Sequence, residues 1–108
     1  MTEAEFERLA SARLAHLADV LERGLAEAAE VDYQGGILTV ALEQGGEYVL
    51  NKHAPNRQIW LSSPRSGASH FAFDPARNAW IDTRSGRALG TVLAEELGPL
   101  ASGPLALD

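Results

Sequence analysis

The spacing of apolar residues changes from helical to alternating and back again along the chain, and this order limits the available folds. Residues from about 4 to 25 carry an apolar side chain at every third or fourth position, which is typical of an amphipathic helix. The same spacing returns near the end of the chain. The two stripes consist of Phe6, Leu9, Ala10, Leu14, Leu17, Val20 and Leu21, and of Leu89, Val92, Leu93 and Leu97. A helix is therefore predicted at each end, and Thr2 with Glu5 forms a capping-box pattern at the first.

Between the two helices, apolar and polar residues alternate in short segments that turn residues separate, as in antiparallel strands. The alternating segments are 37–42, 47–52, 58–62, 70–73 and 79–81. Helices at both ends of a continuous meander predict an α+β fold in one domain, residues 1–108. We expect a two-layer α/β sandwich, with the N- and C-terminal helices packed on one face of a five- to six-stranded antiparallel sheet.

Alternation around Trp60 predicts a polar sheet face on the side away from the helices. Because Ile59 and Leu61 would point into the core, Trp60 would point the other way. The residues predicted to share this face are Thr39, Asn51, Gln58, Trp60, Ser62 and His70. One large aromatic residue among polar neighbours is typical of a protein-binding hot spot, and local packing of Trp60 over its neighbours is the alternative. Trp80 is predicted to belong to the core.

The chain lacks the residues that several classes of catalytic and metal chemistry require. The chain has no cysteine, so it has neither a disulfide framework nor thiolates for zinc, persulfide sulfur or an iron–sulfur cluster. It contains no Walker loop, no dinucleotide-binding glycine pattern and no nucleophile elbow. The histidines, His16, His53 and His70, are dispersed, and we expect ordinary surface residues. The residues thus predict no intrinsic catalytic site.

Charge is distributed unevenly. The net charge is −6, and residues 1–47 hold ten carboxylates against three arginines. Such a surface disfavours nucleic acid and anionic membrane, and no segment is long and apolar enough to span a bilayer. Cations and basic proteins are better partners.

Five carboxylates in the acidic half are candidate metal ligands, because hard cations accept oxygen ligands of this kind. They are Asp19, Glu22, Glu27, Glu30 and Asp32. Asp19 and Glu22 are three residues apart and would project from neighbouring positions on the first helix. Exposed side chains on a rigid helix cannot wrap around an ion, so the predicted site is shallow and weak. The alternative is a solvated acidic face that binds no metal.

The central segment of the chain resembles the most characteristic stretch of frataxins. This stretch consists of Tyr48-Val49-Leu50-Asn51-Lys52, Pro55-Asn56, Gln58-Ile59-Trp60-Leu61-Ser62-Ser63-Pro64 and Ser66-Gly67. The resemblance extends to Phe6-Glu7-Arg8-Leu9-Ala10, Gly36-Ile37-Leu38-Thr39-Val40, Trp80 and Leu93-Ala94-Glu95-Glu96-Leu97. It covers nearly the whole chain, and the chain is similar to a bacterial member of the type called CyaY.

The resemblance implies the fold predicted above and an acidic ridge, on the first helix and the adjoining edge strand, that binds iron weakly, as ferrous or ferric ion. The ridge is thinner here, since many relatives carry carboxylates where this chain has Ser11, Ala12, Ala15, Ala18 and Arg23. The five carboxylates named above are its best candidates. The resemblance also implies that the tail leucines Leu100, Leu105 and Leu107 cover part of the groove between the helices.

The resemblance further implies a function in iron–sulfur cluster assembly. Frataxins bind a cysteine desulfurase and its scaffold protein and modulate the rate of assembly, and Asn51, Gln58 and Trp60 match positions that contact these partners. An iron-storage or ferroxidase-type protein, and a protein-binding module with incidental metal binding, are the alternatives. We expect a monomer, or a metal-dependent oligomer, in the bacterial cytoplasm, or in the mitochondrial matrix if the chain is a processed form.

Overall fold

The computed structural model describes residues 1–107, which form two α-helices, six β-strands and three single-turn 3-10 helices. The α-helices are α1 (Glu3–Leu25) and α2 (Leu89–Leu97). The strands are β1 (Ala29–Gln34), β2 (Ile37–Leu42), β3 (Glu47–His53), β4 (Gln58–Ser63), β5 (Gly67–Asp74) and β6 (Ala79–Asp82). The 3-10 turns are Ala26–Ala28, Ala54–Asn56 and Gly98–Leu100.

Helix α1 begins at the predicted capping box. The Glu5 N–H donates to Thr2 Oγ1 at 3.1 Å, and the Thr2 N–H donates to Glu5 Oε1 at 3.2 Å. The helix ends at Leu25, where Ala26 turns the chain with a φ of 46°. Its buried stripe consists of Phe6, Ala10, Leu14, Leu17, Leu21 and Leu25. Within residues 1–107, the helices are too short or too polar to cross a membrane.

The strands form one antiparallel sheet in the order β1-β2-β3-β4-β5-β6, which confirms the predicted meander at its upper limit of six strands. Both helices pack on one face of this sheet, as predicted. Alternate strand residues fill the space between the layers, because successive side chains point to opposite faces. The buried strand residues of this core include Leu38, Val40, Tyr48, Leu50, Ile59, Leu61, Phe71 and Trp80. Trp80 is 3% exposed and contacts Phe6 edge to face, which confirms its predicted core position.

Strand β1 occupies a segment that the alternating pattern did not delimit, although the resemblance implied an edge strand adjoining the first helix. Its apolar residues Ala29, Val31 and Tyr33 face α1 and alternate with three exposed polar residues. The turn to β2 is Gly35-Gly36, and both glycines have a positive φ (59° and 79°), as a two-residue hairpin requires. β1 is therefore one edge of the sheet.

The C-terminal tail packs on α1. Leu107 is buried, and Leu100 and Leu105 are half-buried against the core, as the resemblance implied. A Cβ atom at Gly24 would lie only 2.3 Å from Leu105 Cδ2, so the glycine permits the close approach of the tail. The Ser102 N–H donates to the Gly24 carbonyl at 3.0 Å. These contacts fasten the tail near the end of the helix.

Candidate functional site

The sheet face away from the helices carries the six residues predicted to share it. Trp60 lies in β4 between Asn51 of β3 and His70 of β5, its direct partners in the sheet register. Its chain neighbours Ile59 and Leu61 are buried on the helix side. The predicted orientation is therefore confirmed. Among the six, Ser62 is exposed, while Thr39, Asn51, Gln58, Trp60 and His70 are half-buried. We call this set the uncovered face.

Trp60 is stacked between two histidine rings on the uncovered face. The His53 ring lies parallel to the indole, with centroids 3.7 Å apart and an interplanar angle of 9°. The His70 ring lies at 4.5 Å with an angle of 39°. The indole Nε1–H donates to Gln58 Oε1 at 2.8 Å. Trp60 thus points away from the helices and also packs on its neighbours, and these contacts hold the indole in one orientation. Protein binding at this face stays a prediction.

His53 is the residue of this face that sequence reasoning missed. It was expected to be an ordinary surface residue, but it is half-buried, and its Nδ1 atom is buried without a hydrogen-bond partner within residues 1–107. The predicted strand stopped at Lys52, whereas β3 continues to His53. Because His53 lies two positions beyond Asn51, alternation along a strand one residue longer would have placed it on the uncovered face.

An apolar margin adjoins the polar residues of this face. Ile37 is 46% exposed and pairs with Asn51 across the β2–β3 ladder. Val49 is half-buried and lies between Thr39 and Ser62 in the register. Asn51 lies between this exposed isoleucine and Trp60 in the register, and the three residues form a mixed apolar and polar surface of the kind found at protein interfaces.

The candidate metal ligands are all exposed, but they are divided between two parts of the surface. Asp19 and Glu22 lie on α1, Glu27 lies in the 3-10 turn after it, and Glu30 and Asp32 lie on β1. Since Val31 faces α1, Glu30 and Asp32 point to the opposite face of the sheet. Within residues 1–107, no three His, Asp or Glu side chains form a group that could hold a metal ion.

Two of these carboxylates already have partners. Asp19 Oδ2 accepts a hydrogen bond from Arg23 at 2.6 Å in an exposed ion pair. Asp32 Oδ1 accepts one from Gln34 Nε2 at 3.1 Å. Carboxylate oxygens suit a hard cation such as iron, but here an ion would be held by one or two side chains and water. The residues therefore fit weak surface binding.

A polar network supports the loop that follows the Trp60 strand. Glu96 of α2 accepts hydrogen bonds from Tyr48 Oη at 2.9 Å, Ser63 Oγ at 2.6 Å and Ser66 Oγ at 2.7 Å. Burial alone would raise the pKa of the Glu96 carboxyl, but these hydrogen bonds outweigh it and hold that pKa below its usual range. Burial, followed by the bond to Glu96, raises the pKa of Tyr48 to about 12.

Inward-facing residues of the frataxin-like stretch stabilise the fold. Lys52 Nζ donates to Glu7 Oε2 at 2.7 Å and to Ser11 Oγ at 3.0 Å, which ties β3 to α1. Ser63 is buried in the Glu96 network. The outward residues Asn51, Gln58, Trp60 and Ser62 have no such role in the core. The same run of residues therefore combines structural positions with candidate contact positions.

Comparison with known proteins agrees with this architecture. Residues 1–102 match the family model described as a frataxin-like domain. The chain is 41% identical to the mitochondrial frataxin of Arabidopsis thaliana over 100% of the chain and 60% of that protein. It is 36% identical to the mitochondrial frataxin homolog of Schizosaccharomyces pombe over 97% of the chain and 69% of that protein. The chain thus spans only part of the length of these relatives.

Solved structures of frataxins superimpose on the chain. A frataxin from Psychromonas ingrahamii superimposes with a TM-score of 0.84 at 24% identity, covering 100% of this chain and 99% of that one, which supports the fold. Trimeric frataxin from Saccharomyces cerevisiae, complexed with ferrous ion, superimposes with a TM-score of 0.75 at 38% identity. That match covers 87% of this chain and 86% of the yeast chain.

Proposed function

The chain belongs to the frataxin family, and on this premise we propose that it is an iron-binding regulator of iron–sulfur cluster assembly. It docks on the complex of a cysteine desulfurase and its scaffold protein and changes the rate at which that complex builds clusters. The observation that carries the proposal is Trp60, a large aromatic residue held rigidly on the uncovered face of a frataxin fold.

The uncovered face supports the docking part of the proposal. An interface anchor binds best when it is already in its bound orientation, because less side-chain entropy is lost on association. The two histidine rings and the hydrogen bond to Gln58 hold Trp60 in this way. Asn51 and Ser62 supply polar groups around it, and Ile37 adds exposed apolar area. A hydrophobic centre with a polar rim is the usual anatomy of a specific interface.

The exposed carboxylates support the iron part of the proposal. Iron is a cargo here, bound as ferrous or ferric ion by one or two of Asp19, Glu22, Glu27, Glu30 and Asp32 together with water. Binding is weak, because an ion must compete with Arg23 for Asp19 and the remaining ligands are spread over two surfaces. The yeast relative solved with ferrous ion supports iron as the metal.

The chain acts on its partners and catalyses no step itself. It has no cysteine, so persulfide sulfur and the growing cluster stay on the desulfurase and the scaffold. We propose a monomer, with a metal-dependent oligomer as the alternative that the trimeric yeast frataxin supports. The relatives named as mitochondrial support the mitochondrial matrix over the bacterial cytoplasm as the location.

A protein-binding module with incidental metal binding is the second candidate. The ion pair between Arg23 and Asp19 favours it, because this pair occupies one of the five candidate ligands. An iron-storage or ferroxidase protein has less support, since such sites need several inward carboxylates and histidines and the candidate acids are exposed.

The test is cluster formation by a purified desulfurase and scaffold, with and without an equimolar amount of this chain. We expect a changed rate and a stable complex in size-exclusion chromatography, while an unrelated acidic protein has no effect. Ferrous titration of the chain alone then separates the two candidates. Binding to the complex without measurable iron binding would select the protein-binding module. If the chain neither binds the complex nor changes the rate of cluster formation, both candidate functions are contradicted.

A further inference from the structure

A cavity of about 220 Å³ lies where α1, the β5–β6 turn, the start of α2 and the end of the tail meet. Its apolar walls include three buried side chains, those of Trp80, Leu89 and Leu107. Its polar lining comes from the side chains of Arg13, Arg77 and Asn78. No residue of the uncovered face lines this cavity, so it is separate from the proposed docking surface.

The charge of the cavity is opposite in sign to that of the whole protein. The chain has a net charge of −6, yet the ionisable side chains that line the cavity are two arginines, and no carboxylate of residues 1–107 lines it. Helix α2 begins at the same wall, where its N-cap residue Ala88 gives it no side-chain cap, so the helix dipole has the same sign as the arginines. Two guanidinium groups beside one small, partly apolar space repel each other, and an anion in that space offsets the repulsion.

Both arginines keep hydrogen-bond donors for a ligand. One terminal nitrogen of Arg13, Nη1, donates to the Leu107 carbonyl at 3.1 Å, which fixes this guanidinium group on the tail. Arg77 Nε lies 3.5 Å from Asp74 Oδ2 in a largely exposed ion pair. Within residues 1–107, the two guanidinium groups have no other hydrogen bond or ion pair. Their remaining N–H groups form planar forks that match the two oxygens of a carboxylate.

We propose that this cavity binds a small carboxylate that carries a short apolar chain. The arginines bind the carboxylate, and the apolar chain packs against Trp80, Leu89 and Leu107. A cavity of about 150 Å³ holds a molecule the size of benzene, so this one has room for a ligand slightly larger than that. A multiply charged anion such as phosphate fits less well, because the acidic protein repels it more strongly and the apolar walls leave part of its oxygens unpaired.

The experiment titrates the whole chain with sodium hexanoate and follows backbone amide and arginine side-chain signals by NMR. We expect saturable shifts centred on the lining residues, among them Asn78, Gly90 and Leu107, and on the guanidinium signals of Arg13 and Arg77. Hexanamide has the same chain and no charge, and it should bind about tenfold more weakly, because hydrogen bonds to a charged group are stronger than neutral ones. Inorganic phosphate at the same ionic strength should also bind more weakly. Saturating hexanoate should raise the melting temperature, because it binds only the folded chain.

Variants of the protein give the second half of the test. Arg77→Gln should weaken hexanoate binding by about fivefold, and the variant should fold, because Arg77 is exposed. The matched control is Arg84→Gln, which removes the same charge from an exposed residue outside the cavity and should leave the affinity unchanged.

Four results would each overturn the proposal. They are the absence of saturable shifts at the cavity, equal affinity for hexanoate and hexanamide, tighter binding of phosphate than of hexanoate, and equal weakening by Arg77→Gln and Arg84→Gln. Neither iron nor a desulfurase is present in this experiment, so such a failure would leave the proposed function unaffected.

Discussion

Replacing Glu96 should reveal how much of the stability depends on the network under the β4–β5 turn. Glu96→Ala removes the acceptor of three hydroxyl groups, and two of them belong to the buried side chains Tyr48 and Ser63. A buried donor left without a partner costs about 1–3 kcal/mol, so we expect the free energy of unfolding to fall by about 2–4 kcal/mol. The exposed Ser66 hydroxyl can bond water and adds little.

Two further variants separate the charge from the hydrogen bonds. Glu96→Gln keeps one oxygen for Tyr48 and Ser63 but loses the negative charge, and bonds to a charged group are stronger than neutral ones. We expect a loss of about 1–2 kcal/mol. The matched control is Glu95→Gln, which neutralises the neighbouring residue. Glu95 is exposed and forms a surface pair with Arg87, so this change should cost less than about 1 kcal/mol.

Urea unfolding at several pH values measures all three variants. Because the pKa of Glu96 is lower in the folded protein than its ordinary value, its contribution is present above that ordinary value and is lost as the pH falls through the folded pKa. Both Glu96 variants should lack this part of the acid dependence, and Glu95→Gln should retain it. Equal losses for Glu96→Gln and Glu95→Gln at neutral pH would refute the reasoning.

Leu107→Ala should lower the free energy of unfolding by about 2–4 kcal/mol, because a buried leucine leaves a cavity, and an unchanged melting temperature would mean that the tail does not pack as described. Ferrous ion should broaden the amide signals around Glu22 and Glu30 at micromolar or weaker affinity, whereas broadening centred on His53 would exclude the carboxylates as the site. Tyr48 stabilises the fold fully below about pH 10 and loses this contribution as the pH rises through about 12, so Tyr48→Phe should flatten the alkaline limb of the stability curve.

Features that depend on neighbouring residues could be predicted from the sequence. The capping box of Thr2 and Glu5 spans four residues, and both of its hydrogen bonds are present. The orientation of Trp60 followed from alternation along its own strand, because Ile59 and Leu61 could point only into the core.

Features that depend on register or on distant partners could not be predicted. The stack of His53 on Trp60 needs the pairing of β3 with β4, which alternation within one strand does not supply. The same limit applies to the network around Glu96, whose partner Tyr48 lies 48 positions earlier in the chain. Strand β1 was not delimited, because its acidic outer residues Glu30 and Asp32 depress the hydrophobic signal of a half-exposed edge strand.

Two surfaces should contribute to the proposed docking: the carboxylates of α1 and the uncovered face around Trp60. The carboxylates of α1 should steer association with a basic partner, and this effect weakens as salt screens the charges. Trp60 should act as a desolvated anchor, and its loss should raise the off-rate and cost about 2 kcal/mol or more of binding free energy with little change in salt dependence. The side chains of both surfaces point away from the core, so their variants should fold.

The most direct test of the docking claim is titration of Trp60→Ala, and of Asp19→Asn combined with Glu22→Gln, against the desulfurase–scaffold complex at low and high salt. We predict a large loss of affinity for Trp60→Ala at both salt concentrations, and for the double variant a loss that is confined to low salt. Circular dichroism and thermal unfolding establish that each variant is folded. If a folded Trp60→Ala variant binds as tightly as the parent at both salt concentrations, the uncovered face is not the docking surface.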